Sequence, residues 1–211
     1  MTKVKSDPIQ EQLIKARREQ ILKAAIQVFA EKGFQRATIR DVAKTAGIAD
    51  GTIYNYFENK TALILGILNY MNETEERDSD LGQAVGQDLR EFFRDYLGKR
   101  YTFMTQEGLD ILRAVLPEVL VNPELREAYM EQIVLPTFGV SEKHFSKLVE
   151  DGTVRPLDVP LTLRLISATF LGAILLRMLG DPVMENQWGD IPEAVVSMTL
   201  DGIIRRDDMT K

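Results

Sequence analysis

The stretch Thr38-Ile39-Arg40-Asp41-Val42-Ala43-Lys44-Thr45-Ala46-Gly47-Ile48-Ala49-Asp50-Gly51-Thr52-Ile53-Tyr54-Asn55-Tyr56-Phe57 decides how the chain is read. Thr38 and Asp41 have the spacing of a capping box: the threonine hydroxyl accepts from an amide one turn on, and the carboxylate reaches back. They open a short helix that Gly47 ends. Asp50 can cap a second short helix, running to about Tyr56. Val42, Ile53 and Phe57 are the core-facing positions. Ala43 is small enough for two helices to approach, Gly47 gives the turn, and Ile48 plugs the space between them. This is the layout of a helix-turn-helix.

The surrounding sequence is helical on both sides. Upstream, Ile14, Ile21, Ala25, Val28 and Phe29 form one stripe at helical spacing, so a helix is expected from about Ile9 to Lys32, stopped by Gly33. Downstream, Asn59 can cap a helix from Lys60 to about Glu76. Further helices are expected at about 83–106, 107–121, 123–151, 160–179 and 191–206. Pro123 and Pro160 fit first turns, and Asp190 can cap the last helix. Pro117 and Pro136 fall inside apolar patterns and predict breaks or kinks. Gly180-Asp181-Pro182 reads as a loop. No alternating strand pattern, internal repeat or low-complexity tract interrupts this.

Composition narrows the chemistry. The 211 residues contain no cysteine and a single histidine, His144. Disulfides, thiolate metal sites, cysteine nucleophiles and multi-histidine metal sites are therefore excluded, and no metal or cofactor is expected. There is no glycine-rich phosphate loop and no His-Glu-x-x-His, so an enzyme is not expected. Residues 1–7 carry no signal-peptide pattern, and the apolar run Leu165–Leu176 is too short for a bilayer. These features lead us to expect a cytoplasmic protein with no membrane partner. The net charge of −6 is unevenly spread. Residues 1–60 hold 11 Lys and Arg against 7 Asp and Glu; the remainder holds 15 against 25. A basic head on an acidic body points to a head that meets a polyanion.

The second short helix exposes Gly51, Thr52, Tyr54, Asn55 and Tyr56, and Lys60 follows it. Hydroxyls and amides of this kind bond to phosphates and base edges in a DNA groove. Asn55 is the best base reader, because its amide matches adenine N6 and N7. Lys60 and Arg40 are expected to position rather than specify. Arg17, Arg18 and Lys15 read mainly as a solvated face.

Several segments resemble the DNA-binding domain of TetR/AcrR-type repressors. They are Arg18–Leu22, Ala30–Phe34, Ala37–Ala43, Ala46–Ile48 and Gly51–Lys60, together covering about residues 15–65. Leu120–Leu179, with Pro123–Arg126 and Asp151–Arg155, resembles the C-terminal domain of one branch of that family. The resemblance implies an all-α chain. Residues 1–58 would form a three-helix helix-turn-helix domain, and residues 59–211 a helical ligand-binding and dimerisation domain. It implies a homodimer on a palindromic double-stranded DNA operator, with Thr38, Arg40, Gly51, Thr52, Tyr54, Asn55, Tyr56 and Lys60 as contacts. One departure is Asp50, where many members carry serine; another is that no lysine precedes Gly51.

The last two helices are expected to pair with their two-fold mates, because 161–179 is apolar round much of its circumference and the last helix is amphipathic. Phe93, Tyr96, Phe103, Arg113, Tyr129, Phe138 and Phe170 are the candidate lining of a pocket for a small-molecule effector, with Glu118 a further polar anchor. These are aromatic positions that would otherwise serve as core. The function expected is a ligand-responsive transcriptional regulator, read as a repressor released by an apolar or aromatic effector. The alternative is an activator, or a ligand-independent DNA-binding protein with the same head.

Overall fold

The computed structural model describes residues 8–72, 74–83, 88–104 and 106–203. Every regular element among them is helical. In chain order these are α1 (Pro8–Lys32), α2 (Ile39–Thr45), α3 (Asp50–Ile53), α4 (Lys60–Asn72), α5 (Thr74–Gly82), α6 (Leu89–Phe103), α7 (Gln106–Val121), α8 (Pro123–Tyr129), α9 (Leu135–Glu150), α10 (Val159–Met178), α11 (Pro182–Asn186) and α12 (Ile191–Ile203). A π-helical turn, Met130–Val134, runs from α8 into α9, and a 3₁₀ turn, Trp188–Asp190, precedes α12. The chain divides into two compact units, residues 1–72 with 110–129, and 73–109 with 130–211. The first unit thus takes in α4 and a later segment, whereas the sequence drew its boundary at 58.

In the first unit α1 packs on α2 and α4, and α8 packs on α4. Ile21, Ala25, Val28 and Phe29 are buried as their spacing requires. Ile14 is a correction: it shares their stripe but is exposed, along with Ile9 and Leu13 near the start of α1. α4 buries Leu63, Ile64, Ile67, Leu68 and Met71. Ile111, Val115, Val119 and Leu125 are buried in the later segment. Gln35 Nε2 donates to Glu118 Oε2 at 2.6 Å, tying the loop before α2 to α7.

Local chemistry sets the ends of these helices. Thr38 accepts from the Asp41 amide at 3.1 Å, and Asp41 accepts from the Thr38 amide at 3.0 Å, the expected capping box. Asn59 Oδ1 accepts from the Ala62 amide at 2.8 Å and caps α4. Gly47 has φ 66°. Around it the Ile48 amide donates to Ala43 O and the Gly47 amide to Lys44 O, the two bonds of a Schellman turn. Ile48 is only half-buried.

Two other expectations are corrected, and one is met. Asp50 does not cap α3; Ala49 holds that position without a side-chain bond. Pro117 lies within a continuous α7, so it does not break the helix. Pro136 has a visible effect, since the backbone widens into the π turn just ahead of it. Proline lacks the amide and crowds the carbonyl four residues back, and the wider turn accommodates both.

In the second unit α6 packs along α12, and α9 packs against α10 and α5. Leu89, Phe145, Leu148, Val154, Val159, Val196 and Leu200 form its main cluster. Arg90 pairs with Asp201 at 2.6 Å and Arg94 with Glu193 at 2.5 Å, stitching α6 to α12. His144 Nε2 meets Asp78 Oδ1 at 2.7 Å, holding that carboxyl below its usual range. Trp188 Nε1 donates to Tyr101 O at 3.0 Å, which anchors the loop before α12. The segment read as a loop at Gly180-Asp181-Pro182 turns at Gly180 and leads into α11, capped by Asp181.

α10 is longer than the apolar run suggested, because Arg164 does not bound it; its guanidinium donates to Glu142 and to Pro160 O from within the helix. By length and composition alone its 20 residues are enough to cross a membrane. Leu161, Leu165, Leu171, Leu175 and Leu176 are exposed on it, and Met198 is exposed on α12. The far ends expected for the helices 83–106 and 191–206 fall partly outside the described residues.

Two outcomes follow from this packing. A Cβ added at Gly66 would lie 2.8 Å from Phe57 Cε1 and 2.9 Å from Leu22 Cδ2. Overpacking costs about 1–3 kcal/mol, and the gain in helix propensity returns about 1. Gly66→Ala is therefore expected to lower stability by about 1 kcal/mol, read as a lower urea midpoint at unchanged slope. Asp41 is held at about 2, chiefly by its bond from Lys32 and then by those from Thr38. A carboxyl depressed on folding adds stability above its unfolded value of 3.8, and loses it as pH falls through about 2. Acid unfolding of the wild type should carry this component between those two values, and Asp41→Asn should lack it.

Candidate nucleic-acid interface

α3 is a single turn, shorter than the spacing predicted. Gly51, Thr52 and Ile53 are poor helix formers, and the chain goes on through Tyr56 in tighter turns. The Asn55 amide donates to Thr52 O at 3.2 Å and the Tyr56 amide to Ile53 O at 3.0 Å. Ile53 and Phe57 are buried, which fixes the opposite face outward. Gly51, Tyr54 and Asn55 are exposed there, while Thr52 and Tyr56 are half-buried.

So short an element leaves carbonyls that it cannot satisfy itself, as does the end of α2, and α1 supplies a donor to each. Arg18 Nη1 donates to Tyr56 O at 3.0 Å, and its guanidinium lies 4.5 Å from the centre of the Phe57 ring. Gln20 Nε2 donates to Ala46 O at 2.7 Å, and Arg17 holds Gln20 through its Oε1 at 2.9 Å. The structure thus gives Arg18 and Gln20 a bracing role that the sequence did not reveal. Their partners are 38 and 26 residues away, so no local spacing signals them.

Lys60 is engaged in the same way. Its ammonium donates to Phe34 O at 2.7 Å, Ala37 O at 3.1 Å and Gln35 O at 3.3 Å, and sits 4.3 Å from the Phe34 ring centre. An ammonium has three N–H groups, and three carbonyls take them. Thr38 spends its hydroxyl on Asp41, donating to Oδ2 at 2.8 Å. Arg40 pairs through Nε with Asp50 Oδ2 at 2.8 Å across the turn. The eight contact candidates therefore lie on one stretch of one unit. Gly51, Tyr54 and Asn55 are fully presented, and Thr38 and Lys60 are committed to the fold.

Gly51, within α3, differs from the turn glycines Gly33 and Gly47. Its φ is not positive, and a Cβ there would meet nothing within 4 Å. Neither backbone strain nor packing within the chain requires glycine at this exposed position.

The seven effector candidates are not gathered in this way. Arg113 and Tyr129 belong to the first unit, and Arg113 pairs with Asp110 at 2.7 Å. Glu118 is taken by Gln35. In the second unit, Phe93 packs against Phe92, Tyr96 and Phe145. Phe170 instead meets Tyr101 edge-on at 4.8 Å, and Phe138 lies under the Arg164 guanidinium at 4.5 Å. Phe103 is half-buried at the end of α6. Tyr101 is buried beside Phe170 and Trp188; its hydroxyl has no hydrogen-bond partner among the described residues, and burial pushes it up to about 12. No group of three or more His, Asp or Glu able to hold a metal occurs among the described residues.

Known proteins agree with this geometry. The family described as bacterial regulatory proteins, tetR family, matches residues 21–67. The uncharacterized HTH-type transcriptional regulator YvdT of Bacillus subtilis is 32% identical over 136 residues, spanning 64% of this chain and 69% of YvdT. The HTH-type transcriptional repressor KstR2 of Mycolicibacterium smegmatis is 28% identical over 204 residues, 86% of this chain and 89% of its own. Among solved structures, the transcriptional regulator FadR of Bacillus subtilis, in complex with stearoyl-CoA, shares the fold with a TM-score of 0.66. That match is 24% identical and covers 88% of this chain and 98% of FadR. A braced helix-turn-helix inside an all-helical chain, with these relatives, identifies a DNA-binding transcriptional regulator: the chain belongs to the TetR family.

Proposed function

We propose that the chain is a repressor that binds an inverted-repeat operator as a homodimer and is released by a small apolar or aromatic effector. The observation that carries the DNA half is the outward face of α3 and its following turn, where Gly51, Thr52, Tyr54, Asn55 and Tyr56 stand on a braced base. Asn55 reads a base edge. Tyr54 and Thr52 meet phosphate or a thymine methyl, and Gly51 lets the helix close on the backbone of the duplex. Thr38 and Lys60 serve by holding the loop and α2 in place.

The exposed leucines of α10, with Met198 of α12, support a two-fold pairing through these two helices. A two-fold axis presents two recognition elements to major grooves about 34–36 Å apart, or a multiple of that. For the effector, the apolar surface of Phe93, Tyr96, Phe103, Phe138 and Phe170 is the part of the candidate set lying in the second unit. The acyl thioester bound by the FadR structure supports an apolar class of effector for this fold. The effector would shift the population toward dimers whose heads no longer match operator spacing. A coupling of about 1–3 kcal/mol lowers operator affinity about 5–150-fold.

Selection from a random duplex pool at two salt concentrations tests the reading. The expected outcome is an inverted repeat bound with strong salt dependence; a pool that stays random with flat salt dependence overturns it. Gly51→Ala should keep or slightly raise thermal stability while weakening binding to the selected duplex. Lys60→Met should cost about 1–2 kcal/mol of stability through the lost charge-assisted bonds. It should change the salt slope by less than the roughly 1 unit of a lost phosphate contact.

A further inference from the structure

The Arg40–Asp50 pair joins the first turn of α2 to the first residue of α3, and it uses one edge of the guanidinium only. Nε donates to Asp50 Oδ2 at 2.8 Å. Nη1 and Nη2 have no partner among the described residues, and the Arg40 side chain is 83% exposed. A guanidinium held at Nε keeps the fork at its far end, one N–H each from Nη1 and Nη2, directed away from the carboxylate. On an exposed site an ion pair of this kind adds little stability, so folding alone gives little reason for it. Asp50 is also the acid that departs from the pattern of this motif, at the point where a phosphate would be repelled.

We infer that Asp50 is a positioning residue that turns Arg40 into a reader of a guanine edge. This rests on the DNA-binding reading above and changes the part Arg40 plays in it. A phosphate contact works through net charge, and Asp50 cancels the charge of Arg40. A bidentate contact to guanine O6 and N7 works through the direction of two N–H groups, and Asp50 fixes that direction. The pair therefore gives up attraction to any duplex and gains discrimination between duplexes. Forming the pair before binding lessens the rotamer entropy lost on the DNA.

The test uses the full chain, the duplex it selects, every single base-pair variant of that duplex, and a scrambled duplex of equal composition. Arg40→Ala should abolish preference at one G·C pair per half-site, a loss of roughly 5- to 150-fold. Asp50→Ala should lose most of that same preference. It should also bind the scrambled duplex more tightly, with a salt slope steeper by about 1. Asp50→Asn should keep much of the preference, since its amide oxygen still accepts from Nε, and should gain the steeper slope. Adding Asp50→Ala to Arg40→Ala should change preference no further.

A merely structural role for Asp50 would move affinity for all duplexes together and leave the preference at that pair intact, which overturns the inference. So does an Arg40→Ala variant that weakens every duplex equally. Failure of the DNA-binding reading itself looks different: the wild-type chain then selects no sequence at all.

Discussion

The head of this protein depends on carbonyl groups that its own short helices cannot satisfy. α2 has seven residues and α3 four, so much of their backbone lies within a turn of an end. Donors come from outside: Gln20 and Arg18 from α1, and Lys60 from α4. Each spans a wide stretch of sequence and fastens a loop or helix end. The outward face can then be composed of polar residues with no stake in the core, because its orientation is secured from behind. Ile53 and Phe57 provide the apolar side of the same arrangement.

Where the sequence was legible, the physics was local. The capping box at Thr38 and Asp41, the cap at Asn59, and the positive φ at Gly33 and Gly47 all depend on a few neighbouring residues. The core stripe of α1 follows from helical period, and Ile14 marks where that inference ends. Periodicity says which residues share a face, and only the length of the packing partner says how far the face is covered. The long-range donors were not legible, since nothing near Arg18 or Lys60 in sequence distinguishes a brace from a solvated cation. Asp50 shows a further limit: an acid at a helix start is usually a cap, and here it turns toward an arginine ten residues back.

The aromatic residues illustrate the same boundary in the second unit. Phe93, Tyr96, Phe138 and Phe170 read alike in sequence, as large apolar side chains on helices. In the structure they divide among separate neighbours, one set around Phe92 and Phe145, another around Tyr101 and Trp188. Composition indicates how much aromatic surface there is, and only tertiary packing indicates which rings face each other. The Tyr101 hydroxyl, buried and without a partner among the described residues, has no sequence signature.

The first unit is closed by residues 110–129, which the chain reaches only after leaving it at 72. That ordering makes the head a poor interchangeable part. A cut just beyond the helix-turn-helix would separate Gln35 from Glu118 and uncover the side of α4 on which α8 rests. A chimera built at one joint would therefore inherit a damaged head. Transplanting the DNA-reading portion intact requires carrying two segments together.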